Sequence, residues 1–172
     1  MLKVFAFGNK LFMEKYSQGL IDDCEHYGYE KHFHIIENGE NYSYNNWQGI
    51  NALVDLIKWH SNTQDRIMFT DPESRIHQPI PDKWTNTTKP VVGIKYYNNK
   101  PVEYQNDDKY TLWSKICLGP AIFGQNDLPW LEMWLDMMKA ASELDQKQVV
   151  PTELFFDAVM KYNRVDRIET AI

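Results

Sequence analysis

Cysteine is scarce: 172 residues carry only Cys24 and Cys117. The two stand far apart and match no metal-binding or redox spacing, which excludes a disulfide scaffold, a zinc module and a thiol-redox motif. They read as small buried apolar residues of a reducing compartment. Positive charge is also short, with 18 Lys and Arg against 24 Asp and Glu, a formal charge of −6. That weighs against a protein that coats nucleic acid, which needs a basic face, while leaving room for a local basic groove. No apolar run approaches a membrane span, and Met-Leu-Lys-Val-Phe-Ala-Phe-Gly turns polar too soon for a secretory signal. The expectation is a soluble cytoplasmic protein. Two further gaps concern the basic residues and the histidines. No Lys or Arg lies between Lys31 and Lys58, and no histidine follows His77. Internal repeats and low-complexity tracts are absent too.

What is present is the pattern of one α/β domain with room for a sizeable core. Residues 2–7 are a short apolar run closed by Gly8-Asn9, a buried first strand. Over 11–27, Phe12, Tyr16, Leu20 and Cys24 recur every four residues, the spacing of a helix, and Gly28 stands at its C-terminal cap. A second strand over 31–36 ends at Asn38-Gly39. The chain thus opens strand, helix, strand, the unit of a parallel sheet. Residues 40–46 read as a loop. Trp47, Ile50, Leu53, Val54 and Ile57 then mark a helix ending near His60, and a strand over 66–70 follows at once.

The second half is more broken. Pro79, Pro81 and the run to Lys89-Pro90 read as a loop. A strand over 91–97 and a turn at Asn98-Asn99 lead into 102–104, a hairpin. Residues 106–109 read as a polar break. Residues 118–123 form a short strand whose Gly119-Pro120 places it at an edge or a bulge. Asp127 and Pro129 suit the start of a helix with the stripe Leu131, Trp134, Leu135, Met138 and Ala141. A last helix opens at Pro151-Thr152 and buries Phe155, Phe156, Val159 and Met160. The charged tail from Arg164 is expected to fray.

The stretch with most chemistry is Asp65-Arg-Ile-Met-Phe-Thr-Asp-Pro-Glu-Ser-Arg-Ile76. Its apolar centre, Ile67-Met68-Phe69, runs into Asp71, Pro72 and Glu73. The proline stops the strand and forces a turn. Two carboxylates therefore stand together past a strand's carboxyl end, where ligands bind in open α/β sheets. Taken alone, the triplet reads first as a solvated acidic turn and second as a grip for a hard divalent cation.

The order of these features resembles the GT-A glycosyltransferases, which transfer sugars from nucleotide sugars on a Rossmann-like sheet. The resemblance rests on Phe7-Gly8-Asn9 at the first strand's end, Tyr16 on the next helix, Asp71-Pro72-Glu73, Ile122-Phe-Gly-Gln-Asn126 before a Trp-rich helix, and Asp145-Gln146. It covers most of the chain, as a single GT-A-like domain with a mixed sheet flanked by helices. It implies a nucleotide-binding half over 1–75 and an acceptor half over 76–172. The family's Asp-x-Asp motif matches Asp71-Pro72-Glu73, with Glu73 replacing the second Asp, and implies Mn²⁺ or Mg²⁺ on Asp71 and Glu73. Phe7, Gly8 and Asn9 would face the nucleoside of a donor, UDP-sugar first, with Tyr16 and Asp71 beside it. Asp145 would act as the base and Gln146 would orient sugar hydroxyls.

Other readings stay open beside these. Tyr16 equally suits core packing with its hydroxyl at the rim, and Asp145-Gln146 equally suits a helix end in water. Many relatives take a third metal ligand, often a His near the C-terminus. Here only Asp157 or Asp166 offers itself. His32 and His34 point the same way on a strand, as a surface pair or a metal site lacking its third ligand. Asp22-Asp23 reads as a solvated helix face. The acceptor stays open among DNA, a small molecule, a carbohydrate and a protein. A compact, Asn- and Tyr-rich chain suits a bacteriophage enzyme acting on modified DNA bases in the host cytoplasm, provided Lys83, Lys89, Lys95, Lys100, Lys109 and Lys115 gather on one face. The alternative to an enzyme is a non-catalytic GT-A-like protein that binds nucleotide or sugar.

Overall fold

The computed structural model describes residues 1–39, 41–94, 96–97, 100–101, 106–108, 111–112, 116–144 and 152–171. The chain opens with strand β1 (Leu2–Asn9), helices α1 (Lys10–Tyr16) and α2 (Gln18–Tyr27), and strand β2 (Glu30–Ile36). The expected single helix over 11–27 is thus two. Ser17 turns its hydroxyl back onto the carbonyl of Met13 at 2.6 Å, a local bond that competes with the helix ladder. Gly28 closes α2 at φ 72°, a left-handed cap that glycine adopts without strain.

Helix α3 (Tyr42–Trp59) begins five residues before the apolar spacing suggests. The side chain of Asn41 accepts from the N–H of Tyr44 at 2.8 Å and so caps a turn made of polar and aromatic residues. Strand β3 (Arg66–Phe69), the short helix α4 (Asp82–Thr85) and strand β4 (Val91–Ile94) follow. Two small ribbons come next: β5 (Tyr96–Tyr97) with β6 (Lys100–Pro101), and β7 (Asn106–Asp108) with β8 (Thr111–Leu112). The first falls within the stretch expected to form a hairpin; the turn expected at Asn98-Asn99 and the strand expected over 102–104 lie outside the described residues. The second replaces the polar break expected over 106–109. Strand β9 (Ile116–Phe123), helices α5 (Leu128–Glu143) and α6 (Thr152–Tyr162), and strand β10 (Ile168–Ala171) complete the chain. The tail expected to fray is instead strand β10. It pairs parallel with β4, and Arg167 ties it to the buried Asp157 of α6 at 2.9 Å.

The sheet runs β10-β4-β9-β3-β1-β2. Strands β1, β2 and β3 are mutually parallel, and β9 is antiparallel to both β3 and β4. The fold is therefore the expected α/β domain, with a mixed sheet flanked by helices. Strand β9 holds Pro120 yet lies inside the sheet. A residue without an N–H is tolerated there because the register jumps: Val92 faces Ala121, while the next residue, Gly93, faces Cys117.

Alternation along the strands sorts the core into two layers. Phe5, Ile67, Phe69 and Phe123 point to the face covered by α3, α5 and α6. There Trp134 and Phe156, both fully buried, meet edge to face at 4.9 Å. Leu2, Val4, Ala6, Met68 and Ile122 point the other way, onto Leu20 and Cys24 of α2. Among the described residues no helix is long and apolar enough to cross a membrane.

Candidate active site

The parallel strands β1 and β3 end side by side. The N–H of Thr70 donates to the carbonyl of Phe5 at 3.0 Å and carries the ladder one residue past β3. Then the chain turns. The N–H of Ser74 donates to the carbonyl of Asp71 at 3.0 Å, closing a β-turn with Pro72 in its second position, where proline's fixed φ belongs. The hydroxyl of Thr70 donates to that of Ser74 at 2.9 Å across the same turn. Pro72 is buried beneath it, while Asp71 and Glu73 are exposed.

The far side of the turn is clamped. Arg75 forks onto Asp23 of α2, Nε to Oδ2 at 2.7 Å and Nη2 to Oδ1 at 2.8 Å, and the N–H of Ile76 donates to the same Oδ2 at 2.8 Å. Asp23 is thus a buried anchor rather than part of a solvated face. The Arg75 guanidinium, aided by the Ile76 N–H, lowers its pKa to about 2 against the opposing effect of burial. Gly19 of α2 leaves the space Arg75 needs, since a Cβ there would sit 2.8 Å from Arg75 Cδ.

Phe7, Gly8, Asn9, Asp71, Pro72 and Glu73 line one cleft of about 410 Å³. Phe7 stacks on Phe69 with centroids 5.7 Å apart and rings within 6° of parallel. Its ring rests on Gly49 of α3, where a Cβ would come within 2.4 Å of it. The side-chain oxygen of Asn9 accepts from the N–H of Phe12 at 2.9 Å, starting α1. Gly119 of β9 stands against Asp71: a Cβ there would lie 2.9 Å from Oδ2.

Not every sequence candidate reaches the cleft. Tyr16 is outside its lining: its ring packs on Phe12 at 4.7 Å, under the Lys15 ammonium at 4.8 Å. Phe12 itself lines the cleft, as do Tyr42 and Asn46 of α3. The last two escaped the sequence reading because residues 40–46 were expected to be a loop; the Asn41 cap is the signal that would have found them. Asp145 and Gln146 lie outside the described residues, as do Lys95, Lys109 and Lys115. Lys89 is paired with Asp166 at 2.5 Å.

Asp71 and Glu73 place two hard carboxylate ligands on one rim. Among the described residues no group of three or more His, Cys, Asp or Glu is arranged to hold a metal ion. Asp157 is buried between Lys161 at 2.8 Å and Arg167 at 2.9 Å, so it is spent in the C-terminal packing. His32 pairs with Glu30 at 2.5 Å. Two carboxylates fit a Mg²⁺- or Mn²⁺-type ion completed by water and substrate oxygens, not a protein cage.

The sheet order, the antiparallel β9 and a cleft at the carboxyl ends of β1 and β3 make a GT-A-like fold. No protein-family model matches the sequence, and no curated protein matches it. Solved structures do match in fold. One is a glycosyltransferase involved in the glycosylation of the major capsid of PBCV-1, at TM-score 0.62 and 10% identity, covering 99% of this chain and 80% of that one. A second is the 2-C-methyl-D-erythritol 4-phosphate cytidylyltransferase of Francisella tularensis, at TM-score 0.51 and 7% identity, covering 99% and 89%. A third is the nucleoside-diphosphate-sugar pyrophosphorylase of Vibrio cholerae, at TM-score 0.50 and 12% identity, covering 100% and 73%. At such identities the likeness is one of fold.

Proposed function

We propose that this protein is a metal-dependent glycosyltransferase that moves a sugar from a nucleoside-diphosphate sugar, a UDP-sugar first, to a hydroxyl acceptor. One observation carries the reading: the Phe7–Asn9 end of β1 and the Asp71–Glu73 turn line the same cleft. In this reading Phe7, Gly8 and Asn9 seat the nucleoside, and Asp71 and Glu73 hold Mn²⁺ or Mg²⁺. The ion, when bound, neutralises charge on the diphosphate leaving group. The Asp23–Arg75 clamp keeps the acidic turn at the cleft rim. Asp145 takes the proton of the acceptor hydroxyl, and Gln146 orients the sugar. The acceptor is a hydroxyl of a small molecule, carbohydrate, protein or modified phage DNA base. Salt-sensitive binding to duplex DNA selects the last.

A second reading has its own support. Only two carboxylates meet at the rim among the described residues, which suits a non-catalytic GT-A-like protein that binds nucleotide or sugar. A thermal-shift screen of UDP and UDP-sugars with and without Mn²⁺ tests both. Ligand binding to the folded state raises Tm by mass action, and Asp71→Asn removes that rise. Slow release of free sugar from the donor selects the enzyme; binding without any turnover selects the second reading. No Tm rise with any nucleoside diphosphate or nucleotide sugar rejects the enzyme and the nucleotide-binding form of the second reading.

A further inference from the structure

The other end of β3 carries a second cleft, of about 400 Å³, with Arg66 in its wall. Four residues of strand, rising about 3.3 Å each, separate Arg66 from the turn at Asp71, so the two clefts open at opposite ends of the sheet. Arg66 is 5% exposed. A buried guanidinium should spend its five N–H donors on acceptors. This one does not. Nη2 donates to the carbonyls of Lys89 at 2.6 Å and Ile122 at 3.4 Å. Among the described residues Nη1 makes no hydrogen bond, and Nε is sealed with none.

The nearby carboxylate does not answer this need. Asp127 Oδ2 lies 3.9 Å from Nη1, too far for a hydrogen bond. Its oxygens are engaged elsewhere, Oδ2 by the N–H of Gly124 at 2.9 Å and Oδ1 by the indole of Trp130 at 3.2 Å. Burial also raises Asp127 to about 6, which makes it a weaker counter-ion. Gly124 keeps Nη1 uncovered, since a Cβ there would sit 2.8 Å from it. Around the cleft stand side chains that donate and accept, among them Thr63, Asn86, Thr88 and Asn126.

We propose that this cleft binds a small oxyanion, a phosphate monoester of a polar metabolite, with Arg66 Nη1 as its charged donor and the Thr and Asn side chains around its remaining oxygens. A charged N–H donor suits the oxygens of phosphate, and the cleft volume leaves room for a sugar-sized remainder. The site is separate from the nucleotide-sugar cleft and does not depend on how that cleft is read.

The test is a thermal-shift titration of the full chain with sodium phosphate, ionic strength held constant with sodium chloride and no divalent metal added. A saturable rise in Tm is expected. Asp71→Asn should retain it, which assigns the phosphate to the Arg66 end. Gly124→Ala should weaken phosphate binding by roughly tenfold or more. This variant leaves the backbone unstrained, because Gly124 has φ −147° and ψ −177°, open to any residue. Arg66→Lys, which keeps the charge but loses the planar donor, should weaken it too. Should that variant fail to fold, Gly124→Ala alone decides. Tighter binding of ribose 5-phosphate than of inorganic phosphate identifies a monoester as the ligand; equal binding identifies the free anion. A rise no larger than chloride gives, or one kept in Gly124→Ala and lost in Asp71→Asn, overturns the site.

Discussion

The two ends of β3 handle charge in opposite ways. At its entrance Arg66 and Asp127 are both nearly enclosed, held by backbone carbonyls, a backbone N–H and an indole. At its exit Asp71 and Glu73 stand exposed on a turn whose backbone is fixed from both sides. The entrance is charge enclosed by the fold, with only the Nη1 edge of Arg66 turned to its cleft. The exit is charge carried by the fold and presented outward. Removing charge should therefore destabilise the protein at one end and leave its stability little changed at the other.

The sharpest break of that contrast is Arg66→Ala. It removes the charged donor that bonds the carbonyls of Lys89 and Ile122 and should cost about 1.5–3 kcal/mol, read by urea denaturation. Next comes Gly49→Ala, which forces a methyl against the Phe7 ring. Overpacking of this kind costs about 1–3 kcal/mol even though alanine favours a helix. Asn9→Ala removes the cap of α1 and should cost about 1 kcal/mol. Asp71→Asn should be the mildest, within about 0.5 kcal/mol in the absence of ligand, while abolishing any Mn²⁺-dependent Tm rise. If Asp71→Asn costs as much as Arg66→Ala, the two ends do not differ as described.

Acid sharpens the same contrast. The folded pKa of Asp23 is about 2, below the ordinary 3.8. A depressed carboxyl stabilises the fold above its unfolded pKa and stops doing so as pH falls through the folded value. Stability should therefore drop between about pH 4 and pH 2, and Asp23→Asn should flatten that part of the curve.

The sequence showed the exit more clearly than the entrance, for a physical reason. Phe69, Asp71 and Pro72 are neighbours in the chain, so the strand end, turn and exposed carboxylates follow from local rules. Asp23 and Arg75 lie 52 positions apart, and nothing local in either segment announces the pair. Asp127 reads locally as a helix cap, but residues 125–127 form a 3-10 turn and its side chain bonds Gly124 and Trp130 instead. Strand β10 is a four-residue piece after a charged stretch, and it forms only because β4 offers an edge. Pro120 was legible as a break in the ladder, but it pointed equally to a sheet edge. The bulge opposite Val92 and Gly93 decides that alternative.

The place of β9 has a consequence for how the molecule comes into being. During synthesis β1, β2 and β3 emerge first and can pair with one another, but the outer edge of β3 then has no neighbour. Its partner, β9, is drawn from residues 116–123 and must enter antiparallel, between β3 and β4. A nascent chain that has passed Glu73 therefore holds its acidic turn beside an open, apolar strand edge, the surface most prone to pair with the wrong chain. The sheet closes only when later residues arrive, and such long-range pairing is slow.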